Sequence, residues 1–228
     1  IKPIENSPAE KAGILPGDLI TKVDDVEYTG DKLEEASNKI RGEEGTKVKL
    51  EIYRNGETKT FELTRTKVVV SHVTTKVLNN DIGYIAISDF EGECASEFET
   101  KYKQLEKQGI KKLIIDIRNN GGGIVDEALK IANMLVDKDS TLLITKDKSD
   151  KEEVTKATEK PIINIPTVVL VNEYSASASE ILAGALKDNG KATLVGTKTY
   201  GKGIIQELHQ LSDGSGLKIT VSEYYTPN

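Results

Sequence analysis

Between residues 172 and 180 the sequence reads NEYSASASE, with Ser175, Ser177 and Ser179 at alternate positions. An apolar run, PTVVLV, precedes this stretch, and EILAGALKD follows it with helical spacing, ending at Asn189-Gly190. A serine at a strand-to-helix junction sits over the positive end of the helix dipole, where developing negative charge is stabilised. Ser175 falls toward the strand and Ser179 a turn into the helix, so Ser177 is the hydroxyl best placed to attack. On this motif alone, capping the helix is the commoner role for such serines. A nucleophilic hydroxyl also needs a base.

His72 and His209 are the only histidines, and both read as strand residues with a structural setting. Lys202 is the better candidate: in TYGKG, glycines on both sides let the backbone turn tightly and bring the amine to another element. An amine accepts a proton only when neutral, which burial in an apolar site favours. Taken alone, Lys202 reads as a solvated surface lysine, the commoner fate of a basic residue. The third stretch is DIRNNGGG, residues 116–123. It fits neither GxGxxG nor a Walker pattern, but such a loop can present backbone N–H groups to an oxyanion. Nucleophile, base and oxyanion donors would then lie on three loops that each follow a strand, as a cleft requires.

These loops need a core to hold them, and 228 residues with 37% hydrophobic content can build one, in one large domain or two smaller ones. A net charge of -6 argues against nucleic acid as a partner. The single cysteine, Cys94, excludes an internal disulfide and any CxxC metal or redox pair. No apolar run reaches membrane-spanning length, so no membrane contact is expected within these residues. The chain opens at Ile1 with no initiator Met and reads as a fragment of something longer.

Residues 1–66 read as a small, mostly β module: a capped SPAEKAG turn, the strand LITKVDD, a helical DKLEEASNKIR, then TKVKLEIYR and ETKTFELTR joined by Asn55-Gly56, a strong hairpin signal. Residues 67–228 read as an α/β core. VVVSHVT and IGYIAIS pair around NND, and CASEFETKYKQLEKQG forms a helix with Phe98, Tyr102 and Leu105 on one face, stopped by Gly109. KKLIIDI, IVDEALKIANML, TLLIT, PTVVLV, the helix after SASASE, and ATLVG continue the alternation. Residues 146–160, KDKSDKEEVTKATEK, read as an exposed polar excursion.

With these blocks in place, the sequence resembles the carboxyl-terminal processing (tail-specific) proteases, Ser/Lys peptidases with an inserted PDZ domain. SASASEILAGALKDNGKATLVGTKTYGKGIIQ is similar to the family's active-site block, DIRNNGGG to its Leu-Arg-x-Asn-Pro-Gly-Gly loop, and SPAEKAGILPGDLITKVD to the second half of a PDZ domain. The resemblance implies a crotonase/ClpP-like α/β protease core, residues 67–228, and an N-terminally incomplete mixed α+β PDZ domain, residues 1–66. It makes Ser177 the nucleophile, Lys202 the general base, and Gln206 the residue that holds the lysine amine. The backbone N–H groups of Gly122 and Ala178 would form the oxyanion hole. Asp188 matches a family acid, with a helix-end structural role as the alternative, and Arg41 is a candidate link from the PDZ module to substrate or core. Gly121 departs from the family's proline, which would loosen the oxyanion loop.

The implied substrates are proteins or peptides with apolar C-termini, cleaved without a metal or other cofactor and gated by the PDZ domain. The implied location is extracytoplasmic, with room for a membrane anchor elsewhere and for a homo-oligomer. Two other classes stand beside this reading: a crotonase-like acyl-CoA enzyme, since fold does not fix function, and a catalytically inactive peptide-binding scaffold.

Overall fold

The computed structural model describes residues 3–4, 7–68 and 70–228. The chain divides into two compact units, Ile1–Ser71 and His72–Asn228.

The first unit opens with helix α1 (Pro8–Lys11), where Ser7 Oγ accepts from Glu10 N and Pro8 fills the first turn, which has no partner for its N–H anyway. Strands β1 (Leu19–Val23) and β2 (Val26–Glu27) follow, then a 3-10 turn at Gly30–Lys32 and helix α2 (Leu33–Ile40). Strands β3 (Lys47–Arg54) and β4 (Glu57–Thr64) form the hairpin the sequence indicates. Asn55 and Gly56 at its tip both take the positive φ that a type I′ turn demands, 52° and 89°. The antiparallel sheet runs β2-β1-β3-β4. Period-two alternation on β3 sends Val48, Leu50 and Ile52 inward, and Val48 and Leu50 meet Ile14, Val23 and Leu63 in a small core. Arg54 closes the 13–18 loop with Nε and Nη2 on Asp18 at 2.6 and 2.5 Å, and this pairing holds the Asp18 carboxyl down at about 2.

The second unit begins at strand β5 (Val73–Leu78), paired antiparallel with β6 (Ile82–Ile87) through a turn at Asn79 and Asn80. The strand expected over 68–74 therefore starts later. Residues 68 and 70–72 have no regular structure, and Val69 lies outside the described residues. The valine run has no polar alternation to mark where pairing begins, whereas the turn at Asn79-Asn80 fixes the register from the other end. Helix α3 (Cys94–Lys107) buries Cys94, Phe98, Tyr102 and Leu105 along one face and ends before Gly109. Strand β7 (Lys112–Asp116), helix α4 (Val125–Asn133), and strands β8 (Thr141–Asp147) and β9 (Glu152–Lys156) come next. Strand β10 (Thr167–Val171), helix α5 (Ala178–Asp188) and strand β11 (Ala192–Gly196) complete the core, and β12 (Ile204–Gln210) and β13 (Gly216–Tyr225) form a closing hairpin.

The central sheet has the order β11-β10-β7-β6-β5, parallel except at β5. Parallel pairing places the C-terminal ends of β7, β10 and β11 at one edge, where Leu170 is level with Asp116 and Val171 with Gly196. The glycine loop, the serine segment and the lysine loop all leave from that edge, which is where open α/β sheets bind ligands. A second, antiparallel sheet runs β12-β13-β8-β9. The polar excursion expected over 146–160 thus holds a strand, β9, paired with β8. Its side chains are nearly all exposed, so no apolar alternation marks it in the sequence.

Candidate active site

Helix α5 starts at Ala178, and Ser177 is its N-cap with φ 57° and ψ −117°. That conformation is costly for a residue with a Cβ and persists only where neighbours over-determine it. Here they do. Ser177 O accepts from Glu180 N at 2.8 Å and Ile181 N at 3.0 Å, while Ser177 N donates to Glu180 Oε2 at 2.9 Å. Buried Ala176 and Ala178 on either side leave room for the sharp turn. A strand running into a strained serine and then a helix is the geometry of a nucleophile elbow.

The three serines separate by what they touch. Ser175 Oγ donates to Ile117 O at 2.8 Å, and Ser179 Oγ donates to Asn120 O at 2.9 Å; both residues are completely buried. They fasten the elbow to the loop after β7. Ser177 is half-exposed. Ser179 is the second residue of α5, closer to the helix start than its sequence position suggests.

Gly122 lies directly against the elbow with φ +106°, and a β-carbon there would come within 2.9 Å of Ala176 O and Ser177 Cβ and 3.1 Å of Ala178 N. Glycine is required for this approach. The oxyanion hole expected from Gly122 and Ala178 meets one obstacle, because Gly122 N already donates to the buried Asn120 Oδ1 at 2.9 Å. Asn120 Nδ2 in turn donates to Ile87 O, and Asn120 O accepts from Ala176 N at 3.1 Å. Gly122 can serve an oxyanion only if its bond to Asn120 gives way. At Gly121 a β-carbon would meet nothing within 4 Å. Below this loop Arg118 Nε and Nη2 clasp Asp116, with Tyr84 Oη donating to the same carboxylate at 2.6 Å. Burial pushes the Asp116 carboxyl up, but the bonds from Arg118 and Tyr84 outweigh it and the net shift is downward.

Lys202 is half-buried in the loop between β11 and β12. The loop reaches the elbow through Tyr200 N, which donates to Ser175 O at 3.0 Å, and through Glu180. Gly201 N donates to Glu180 Oε1 at 2.6 Å and Lys202 N to Glu180 Oε2 at 2.9 Å. Tyr224 Oη sits 3.5 Å from Glu180 Oε2, and burial, then the Glu180 charge, pushes that phenol well above its ordinary range. One carboxylate therefore holds the backbones of both Ser177 and Lys202. The sequence reading missed Glu180, although Ser177-x-x-Glu180 is a capping-box spacing that could have flagged it. Gln206 stands on β12, where its Nε2 donates to Thr220 Oγ1 at 3.4 Å.

The remaining candidates lie elsewhere. Asp188 ends α5 and accepts from Asn228 N at 3.1 Å, a structural tie to the residues after β13. Arg41 is exposed just after α2 in the first unit. His72 Nδ1 pairs with Asp89 Oδ1 at 2.5 Å, and exposed His209 pairs with Glu207. Burial, with Glu127 nearby, pushes the Cys94 thiol up to about 12, so it is unreactive. Among the described residues, no group of three or more His, Cys, Asp or Glu side chains could hold a metal ion, and no helix is long and apolar enough to cross a membrane.

The parallel strands of the α/β unit bring a strained serine and the lysine loop to one edge of the sheet. The chain belongs to peptidase family S41, whose profile matches residues 81–228, and residues 2–54 match that of a PDZ domain. It is similar to a "probable CtpA-like serine protease" of Staphylococcus haemolyticus, 40% identical over 99% of this chain and 46% of the relative. The protein of that description from Staphylococcus aureus strain COL is likewise 40% identical. The chain thus spans about half the length of the curated relatives it matches. Among solved structures it resembles the photosystem II D1 C-terminal processing protease, with 37% identity, a TM-score of 0.62, and 99% of this chain and 62% of that one covered. A lipoprotein from Streptococcus agalactiae, 22% identical with a TM-score of 0.59 over 68% of this chain and 59% of that one, shares the fold alone.

Proposed function

We propose that the protein is a serine endopeptidase that cleaves polypeptides near apolar C-terminal tails, with Ser177 as nucleophile and Lys202 as general base. The observation that carries the reading is the elbow: Ser177 is strained and half-exposed, while Ser175 and Ser179 are buried and bonded to the chain. The Lys202 amine takes the Ser177 Oγ proton as the oxygen attacks the peptide carbonyl. The resulting ammonium returns that proton to the leaving amine, and an acyl-enzyme is left. Lys202 then deprotonates a water, which hydrolyses the ester and regenerates the serine. Ala178 N, at the positive end of α5, and Gly122 N, once released from Asn120, stabilise the tetrahedral oxyanion. Gln206 orients the lysine amine in the working state.

The finer architecture we propose is a crotonase/ClpP-like core over residues 67–228, with the PDZ domain over residues 1–66 gating access for C-terminal tails. The location is extracytoplasmic, with room for a homo-oligomer. The descriptions the relatives carry, serine protease and C-terminal processing protease, support the substrate class. The test is cleavage of an unfolded protein with an apolar C-terminus, beside Ser177→Ala and Lys202→Ala. Cleavage that vanishes in both variants with folding intact is the expected result. Turnover retained by either variant overturns the residue assignment.

A further inference from the structure

Two tyrosines beside the elbow have no packing role that accounts for them. Tyr174 is 61% exposed and Tyr200 69% exposed, in loops otherwise built mainly from small or polar residues. Single exposed aromatics are ordinary, but these two are held in a specific relation. Glu173 Oε2 accepts from Thr197 Oγ1 at 2.9 Å, and Ser175 O accepts from Tyr200 N at 3.0 Å. The residues on both sides of Tyr174 are thus hydrogen-bonded to the loop that carries Tyr200. Tyr174 N is fixed further by Asn172 Oδ1 at 3.2 Å, and Asn172 is itself joined to Asn119 of the glycine loop by reciprocal bonds of 2.9 Å. The two rings therefore rise from backbones that are zipped together and tied to all three loops of the site. One stands three positions before Ser177 and the other two before Lys202.

From this placement we infer that Tyr174 and Tyr200 form an aromatic grip for an apolar side chain next to the scissile bond, and so determine specificity; this rests on the peptidase reading above. Tyrosine is well suited to such a grip, because its ring offers a large apolar face at low conformational cost while its hydroxyl stays in water when the site is empty. A charged side chain placed between the rings would lose hydration without gaining a partner.

The test compares Tyr174→Ser, Tyr200→Ser and the two Tyr→Phe changes in the intact enzyme. The probes are two peptides that differ only by leucine or aspartate beside the cleaved bond. Each Ser variant is expected to lower kcat/KM for the leucine peptide about 10-fold or more, mostly through KM, and to leave the aspartate peptide unchanged; the Phe variants restore the preference. Equal losses on both peptides reveal a merely structural role and overturn the inference, as does an unaltered preference. Calorimetric binding of the same peptides to Ser177→Ala protein separates this idea from the peptidase reading. Selective leucine binding that is lost in the Tyr→Ser double variants, in an enzyme that hydrolyses neither peptide, upholds the grip while the peptidase reading falls. Binding of neither peptide overturns the grip.

Discussion

Glu180 Oε2 accepts a hydrogen bond from Lys202 N at 2.9 Å and another from Ser177 N at the same distance. The loop of the proposed base and the elbow of the proposed nucleophile are therefore indexed to each other through one oxygen atom. Gly201 N on Oε1 prevents the carboxylate from rotating away. Hydrogen bonds to a charged acceptor contribute about 1.5 to 3 kcal/mol each. Glu180→Gln keeps the shape but loses the charge and one acceptor, so kcat/KM should fall about 10- to 100-fold and the Tm should fall with it. Steady-state kinetics beside a thermal melt checks this, and unchanged kinetics would show that the two loops find their places without Glu180.

The serines should separate in stability as they do in contacts. Removing Ser175 or Ser179 takes one buried hydrogen bond from Ile117 O or Asn120 O, each of which keeps a backbone donor, at a cost of about 0.5 to 1.5 kcal/mol. Ser177→Ala should leave stability nearly unchanged and abolish turnover. Ser177→Gly should go further, because relieving the positive φ recovers part of the roughly 1 to 3 kcal/mol that such strain costs. Urea unfolding of the four variants ranks them, with Ser177→Gly expected at the top. A Ser177→Gly protein less stable than wild type would show that the backbone at this position is not strained.

The neighbouring glycines of the loop should respond in opposite ways. A methyl on Gly122 would crowd Ala176 O and Ser177 Cβ at 2.9 Å on a backbone whose φ is +106°, so Gly122→Ala should lose both stability and activity. At Gly121 the added carbon meets nothing, and Gly121→Pro should be tolerated while restricting the chain before Gly122. The variant should therefore keep turnover, measured as kcat on a saturating peptide. A Gly121→Pro protein that fails to fold would sink this account of the loop.

How much of the structure is legible in the sequence follows from the range of the interactions. The face of α3 with Phe98, Tyr102 and Leu105 is readable because helical periodicity is local, and the β3-β4 hairpin because Asn55-Gly56 sets its own turn. Strand β9 escapes such a reading because it pairs as a polar ribbon with hardly any buried side chain. The division of labour among the serines is only half readable. Their positions over α5 are local, but the carbonyls that claim Ser175 and Ser179 belong to Ile117 and Asn120, across the sheet edge. The Asn120–Gly122 bond and the reach of Glu180 to Gly201 and Lys202 depend on loop conformation, which no periodicity encodes.

The clasp below the glycine loop should give the fold an acid limit. Burial raises the Asp116 carboxyl, but bonds from Arg118 and Tyr84 lower it more, so the folded value lies below the unfolded one. The folded state then binds fewer protons than the unfolded state across that interval, and stability rises with pH there. The contribution is fully present above the unfolded carboxyl value of about 3.9 and is lost as pH falls through the lowered folded value. Asp116→Asn cannot titrate and leaves Arg118 without its anion, so it should be less stable than wild type at neutral pH, with the gap closing below about pH 4. Unfolding free energies of both proteins at a series of pH values measure the gap directly. A gap that stays constant into acid would mean that Asp116 holds the loop by shape and hydrogen bonding, with no contribution from its charge.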